Sequence, residues 1–361
     1  MKKQFYYYLS AFAAIIFVAC STETPIDIDN QPPKEAKKLL ILNEGGMGLN
    51  NSTLALYDLK SGTMDNNYFL SVNQRGLGDT ANDMLRYGSK IYVVVNVSST
   101  VEVINGQNGK SLKQILMKTT DGKSKQPRHI AAYGGKVYVT SFDDTVTRID
   151  TISLAIDGSA TVGRDPEGIC IKNNKIYVAN SGGLDYATGN YDTTVSVIDI
   201  NSFKEEKKIE VGKNPVHVFA DSQGDIYVAT SPIWEGWTKT VEATFKKINV
   251  STGKVETIEN IHPAKLTYVD NKAYIIIDDY TQSLVTVYDC LNEKVAIENF
   301  IAGGTKIATP YSVSVDGFSG DVFLTETDYT NPGNVHCFDK NGKLKYTLKA
   351  VGLNPTKVVF M

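Results

Sequence analysis

The 361-residue chain is poor in the residues that build covalent or metal-centred frameworks, with 4 cysteines, 4 histidines and 2 tryptophans, and its formal net charge is only −3. So few cysteines in this length exclude a disulfide-built scaffold. Lysine and arginine are scattered singly or in pairs, so the basic stripe that grips nucleic acid is missing. With 42% apolar residues the chain is not a disordered polymer, and its N-terminal apolar run, Leu9 to Ala19, is too short to span a bilayer. Catalytic signatures are missing as well. No Gly-rich phosphate loop follows a strand, no histidine pair has zinc spacing, and there is no Gly-x-Ser-x-Gly elbow. What the chain has in quantity is 29 glycines and 20 tyrosines, the residues of tight turns and of strands.

The first residues read as a leader. Lys2 and Lys3 precede the apolar run, which ends in Phe17-Val18-Ala19-Cys20. A small residue followed by cysteine at the cleavage point resembles the lipobox of bacterial lipoproteins. The resemblance implies a signal peptide over 1–19, acylation of Cys20, and a flexible tether over 20–38 containing Pro25, Pro32 and Pro33. The simpler alternative is a plain signal peptide with a chance cysteine. Glu23, Asp27 and Asp29 resemble the surface-export signals of Bacteroidetes lipoproteins, which implies an outer-membrane protein facing the exterior and touching the membrane through its lipid alone.

From residue 39 onward one unit repeats. Proline and two variable residues lead into an apolar strand, a Gly or Asn turn, and a second strand centred on Tyr-Val. The anchors are Pro127, Pro166, Pro215, Pro263 and Pro310, with a degenerate copy at Ala81 and a truncated one at Pro355. A third strand with an Asp near its end follows, as in Val146 to Asp150 and Val195 to Asp199, then a turn and a more polar fourth strand. Seven such units of four antiparallel strands, without an amphipathic helix, predict an all-β, seven-bladed β-propeller over 39–361. Its ends are complementary. The first unit begins at its second strand, Lys38 to Asn43, and Pro355 to Met361 is an inner strand without followers, so the C-terminal strand is expected to complete blade 1. Such closure removes an open sheet edge.

Repeats of the kind VYVTSFDDTVTRID resemble those of the wider YncE/YVTN propeller family. Asn43-Glu44-Gly45, Ser52-Thr53-Leu54, Tyr57-Asp58 and Leu77-Gly78-Asp79, together with Tyr311, Gly320-Asp321-Val322 and Asp328-Tyr329, resemble Bacteroidetes surface propellers of the BtuG type. That resemblance implies a cobalamin- or corrinoid-binding lipoprotein, monomeric apart from a TonB-dependent outer-membrane transporter. Cobalamin would be transported cargo, with no resident cofactor.

A ligand is expected on the face where the loops between strands 2 and 3 and between successive blades emerge. Those loops are aromatic and polar. Asn43 and Glu44 lie in blade 1, Asn96 in blade 2, Phe142 and Asp143 in blade 3, and Asp185, Tyr186 and Tyr191 in blade 4. Both tryptophans, Trp234 and Trp237, fall in the blade-5 loop; Asp279 and Tyr280 belong to blade 6 and Tyr329 to blade 7. Arg128, Arg164, His217 and Tyr311 add to the same face from the openings of the inner strands. The aromatics suit a broad, amide-fringed ligand or a glycan, or else they pack against one another to stiffen the rim. The arginines would hold a phosphate or pair across blades. His129 and His217 share one repeat position, two after the proline, with Asp83, Lys265, Ser312 and Lys357, and Gly168 fills that position in blade 4. They read as hydrogen-bonded rim residues, with no metal.

The doublets Asp143-Asp144 and Asp278-Asp279 read as turn formers and not as paired catalytic carboxylates. Cys170, Cys290 and Cys337 read as small buried hydrophobes. The sialidase Asp-box and the Trp-rich docking motifs of quinoprotein propellers are absent. The expected function is therefore binding without catalysis: corrinoid capture, or alternatively a surface glycan-binding propeller or a transporter-docking scaffold without a small ligand.

Overall fold

The computed structural model describes residues 35–277 and 284–361. The expected leader, Cys20 and the tether through residue 34, and the blade-6 residues Asp278, Asp279 and Tyr280, lie outside the described residues. Within them the strands form seven four-stranded antiparallel sheets and one two-stranded hairpin, the β-propeller anticipated from the repeats. Blade 1 closes as expected: Pro355–Phe360 pairs with Lys38–Asn43 in the register Leu39 to Phe360 and Ile41 to Val358. The Lys38 amide donates to the Met361 carbonyl at 2.9 Å, and the Met361 amide returns a bond of 2.9 Å.

The core lies between blades. In Lys38–Asn43, alternate residues face opposite neighbours: Leu40 and Leu42 pack with Met84, Ile91 and Val93 of blade 2, while Leu39 and Ile41 pack with Phe323, Val335 and Cys337 of blade 7. Both faces of this strand are buried, which is why it reads as a continuous apolar run and not as an alternation. Each of the seven blade interfaces encloses one such apolar cluster. A fully buried Val or Leu side chain contributes about 1.5–3 kcal/mol.

The Asp or Asn that closes each third strand shapes the turn after it. Asp58 accepts from the Lys60 and Ser61 amides, Asp150 from Ile152 and Ser153, and Asp289 from Leu291 and Asn292. The tight turn then passes through a left-handed residue, which is glycine at Gly62 and Gly253 but Leu154 or Phe203 elsewhere.

The start of each inner strand positions the functional face. Thr80, Gln126, Asp165, Asn214 and Asn354, each just before the anchor position, all have positive φ. Their carbonyls accept the amides of Asn96, Phe142, Ser181, Ser231 and Glu44, the first residues of the strand 2–3 loops, at 2.8–3.2 Å. Loops between blades and loops within blades are thereby tied together on one face. Immediately after the anchor the pairing slips by a bulge, between Ala81 and Asp83, Pro127 and Ile130, Pro215 and His217, and Pro263 and Lys265 among others. A bulge breaks the alternation of a strand, so two successive side chains can face the same way.

The structure also differs from the helix-free reading. A six-residue α-helix, Tyr68–Asn73, buries Phe69 in the interface of blades 1 and 2, and a 3₁₀ helix spans Gly183–Thr188. Both are too short to show a helical period in the sequence.

Candidate functional site at the mouth of the central channel

The inner strands surround the channel, and a bulge after the anchor lets two successive side chains turn toward it, though not in every blade, since Ala264 packs into the cluster between blades 6 and 7. Arg128 and His129 show this directly, since Arg128 Nε lies 3.0 Å and His129 Nε2 3.3 Å from the same oxygen, Glu167 Oε2 on blade 4. His129 Nδ1 in turn lies 3.3 Å from Asp83 Oδ2 on blade 2, and Lys357 Nζ of blade 1 is 2.9 Å from Asp83 Oδ1. A continuous charge chain thus runs from blade 1 to blade 4. Burial would raise the carboxylate pKa values, but the surrounding cations more than offset it: Lys357 and His129 hold Asp83 well below its usual range, and Arg128 and His129 bring Glu167 down to about 2. Burial also disfavours a charged His129, yet Asp83 and Glu167 outweigh it and raise the imidazole pKa.

The other arc of the ring is different. His217 and Lys265 occupy the same repeat position on blades 5 and 6, and among the described residues neither side chain has a hydrogen-bond or ion-pair partner. Burial, reinforced by the cations of Lys265, His129 and Lys357, pushes His217 down to about 3, so its imidazole is neutral. Burial lowers the Lys265 pKa as well. Lys265 is nonetheless exposed to solvent. Blade 4 contributes no side chain at this level: a Cβ on Gly168 would stand 2.7 Å from the Val216 carbonyl oxygen, so glycine lets the two inner strands approach closely.

Above this ring lies an aromatic and polar rim. The Tyr311 hydroxyl donates to Glu44 Oε2, and Asn82 Nδ2 donates to Glu44 Oε1 at 3.3 Å. Tyr329 meets Tyr311 edge-on, with centroids 5.8 Å apart at 88°. The Arg128 guanidinium covers the Phe142 ring at 4.7 Å. Five residues named from the sequence, Glu44, Arg128, Phe142, Tyr311 and Tyr329, therefore converge, with His217 below them.

Others do not join them. Asn43 is fully buried, donating to Thr53 Oγ1 and to the Val351 carbonyl at 3.0 Å each, and Asn96 is buried against the Pro127 carbonyl at 3.1 Å. The structure corrects the expectation that these two would contact ligand: each holds strands together from inside. Asp143 is engaged by Lys125 Nζ at 2.7 Å and by Thr145, while Asp144 has a φ of 60° and accepts the Asp165 amide, so the doublet is a turn. Arg164 binds Asp185 and the Asn190 carbonyl, which latches the blade-4 loop onto its own rim. Tyr186 stands exposed on that loop and Tyr191 is half-buried. The tryptophans form a hairpin of Ile233–Glu235 and Thr238–Val241, with Trp234 39% and Trp237 99% exposed. His262 is a structural anchor, its ring 2.7 Å from the Ala243 carbonyl.

The charge chain includes groups that the sequence reading placed at repeat positions without assigning them to the site, Asp83, His129 and Lys357, and one it did not name, Glu167. The available signal was their common place after the anchor. What hid it was the bulge, because strict alternation turns one of each adjacent pair away. Among the described residues no cluster of His, Cys, Asp and Glu could hold a metal ion. Among the described residues the arrangement offers flat rings, hydrogen-bonding groups and, in Lys265, a cation without a carboxylate partner.

A family model described as Domain of unknown function (DUF5074) matches residues 37–313. No curated protein matches the chain. Among solved structures, it is similar to a quinonprotein alcohol dehydrogenase-like protein from Bacteroides thetaiotaomicron, with 17% identity, a TM-score of 0.63, and coverage of 90% of this chain and 78% of that one. Hydrazine synthase from Kuenenia stuttgartiensis is 15% identical with a TM-score of 0.58, covering 74% of this chain and 85% of that one. A computationally designed protein, Ika8, is 13% identical with a TM-score of 0.55, covering 91% and 90%. At these identities the likeness is one of fold.

Proposed function

We propose a function for a chain that belongs to the DUF5074 family: it captures cobalamin or a related corrinoid at the channel mouth. In this reading the protein is anchored through Cys20 on the outer surface of the outer membrane and hands the ligand to a TonB-dependent transporter. The observation that carries it is the composition of one face. Phe142, Tyr311 and Tyr329 offer ring surface beside the polar groups of Glu44, Asn82 and Arg128, with the Trp234–Trp237 hairpin on a loop of the same face. A corrinoid is broad, fringed with amides and carries a phosphodiester, so it calls for rings, amide partners and a cation together. The resemblance of the Asn43-Glu44-Gly45 and Asp328-Tyr329 regions to BtuG-type propellers supports the same assignment. We read the protein as a binder and not an enzyme. The quinoprotein name belongs to the structural neighbour, and the Trp-rich docking motifs of quinoprotein propellers are absent from this sequence.

One observation favours a second reading. A fully exposed tryptophan on a hairpin is also a platform for a sugar ring, so a surface glycan is the alternative ligand. Mixing the purified protein with cyanocobalamin on a sizing column discriminates between them. Co-elution of the red ligand is expected, and Trp237→Ala should weaken binding roughly tenfold without moving the melting temperature. Failure of the ligand to co-elute, with binding of a saccharide instead, would overturn the corrinoid assignment.

A further inference from the structure

We infer that the anchored propeller holds its channel mouth away from the bilayer, with the face of the strand 1–2 and strand 3–4 turns apposed to lipid. The inference rests on reading Cys20 as the acyl site and adds the direction in which the mouth opens.

The place where the chain joins the fold carries it, and blade 1 shows both faces at once. At one end of Lys38–Asn43 the Lys37 and Lys38 amides donate to the Met361 carbonyl at 2.6 and 2.9 Å, and the Lys37 carbonyl accepts the Leu59 amide at 3.0 Å. Leu59 follows Asp58, the cross-strand partner of Lys38, so residue 37 is fixed among the turns between strands 3 and 4. At the other end Asn43 pairs with Thr53 and Pro355, and the next residue is Glu44 of the mouth. A strand of six residues at about 3.3 Å each separates the two ends by ~20 Å. An anchor upstream of residue 37 therefore pulls on the face opposite the mouth. Cys20 stands 17 residues before Lys37, a span of at most about 60 Å. A mouth-down pose would draw that segment up the side of a blade, which costs chain entropy that the mouth-out pose keeps. The mouth-out pose leaves the Trp234–Trp237 hairpin open to a ligand arriving from outside, and sets the exposed turn residues Ile152 and Phe318 nearest the lipid. The span is long enough for the propeller to turn over when it meets a transporter in the same bilayer.

Both tryptophans of the chain lie on the mouth hairpin, which makes them the probe. The test places the full acylated chain in phosphatidylcholine–phosphatidylglycerol vesicles containing a lipid with a nitroxide headgroup, a short-range quencher, and reads tryptophan emission. The natural protein is expected to keep its emission. Ile152→Trp and Phe318→Trp, each combined with Trp234→Phe/Trp237→Phe, are expected to lose most of theirs, with the melting temperature unchanged because all four positions are exposed. Equal loss from both faces, or greater loss from the natural hairpin, would overturn the inference, as would no loss from either face in chains that float with the vesicles. Failure to float, with no acyl mass on Cys20, would reject the anchor and this inference together. Cyanocobalamin binding in free solution depends on neither, so it tests the corrinoid reading separately.

Discussion

His129 and His217 stand at the same position of the same repeat, two residues after a strand-opening proline, yet their surroundings are opposite. His129 is held between Asp83 and Glu167, in a chain of ion pairs that links four blades, and its pKa rises. His217 faces Lys265 with no acid in contact, and its pKa falls to about 3. One arc of the ring joins blades together; the other leaves a cation available. The difference shows that equivalence in a repeat determines where a side chain sits, while its neighbours on adjacent blades determine what it does.

Three perturbations would break or sharpen this contrast. The largest effect is expected on removing Pro355 to Met361. This deletes the inner strand of blade 1, opens the ring, exposes the edge of Lys38–Asn43 and takes Lys357 from Asp83. Cooperative thermal unfolding should disappear and the protein should aggregate; a two-state transition near the natural midpoint would refute the closure. Next, Glu167→Leu leaves Arg128 and His129 without their shared acid and should cost about 3–5 kcal/mol in urea denaturation. Lys265→Met, on the unpaired arc, should cost nothing measurable by the same assay. Equal costs at the two sites would remove the distinction between the arcs.

The smallest effect concerns pH. His217 takes up a proton at about pH 3 when folded but near pH 6.5 when unfolded, so its stabilising contribution is lost as pH falls below about 6.5, at up to ~1.4 kcal/mol per pH unit. For His129 the sign reverses: its raised pKa stabilises the fold below about pH 6.5, and that contribution is lost as pH rises through the folded value. In denaturation series, His217→Gln should flatten the decline between pH 6 and 4.5, and His129→Gln should cost more at pH 6 than at pH 9. Parallel curves for the two variants would contradict the assignment of opposite environments.

The blades were legible because their signals are local. A Tyr-Val strand whose tyrosine is buried, an Asp that shapes the following turn and a left-handed residue after it all lie within a dozen residues of one another. At the rim, Arg128, Phe142, Tyr311 and Tyr329 could be named because aromatics and arginine are conspicuous in loops. Asn43 and Asn96 were misplaced for a physical reason: they too follow or end a strand near a loop, but their amides turn inward to carbonyls that come from distant segments, Val351 and Pro127. Glu167 was passed over because it follows Pro166 on a strand whose alternation is broken by a bulge.

The order of residues by itself determined the seven units, their four-strand plan and the closure of the ring by the last strand, because each depends on periodicity and on which end lacks which strand. Only the tertiary structure decided which charges meet across the channel. Asp83, His129, Glu167 and Lys357 lie on four different blades, tens to hundreds of residues apart, and they meet because bulged strands turn them toward one axis. The same geometry leaves Lys265 unanswered, and no reading of a single repeat could reveal a missing partner.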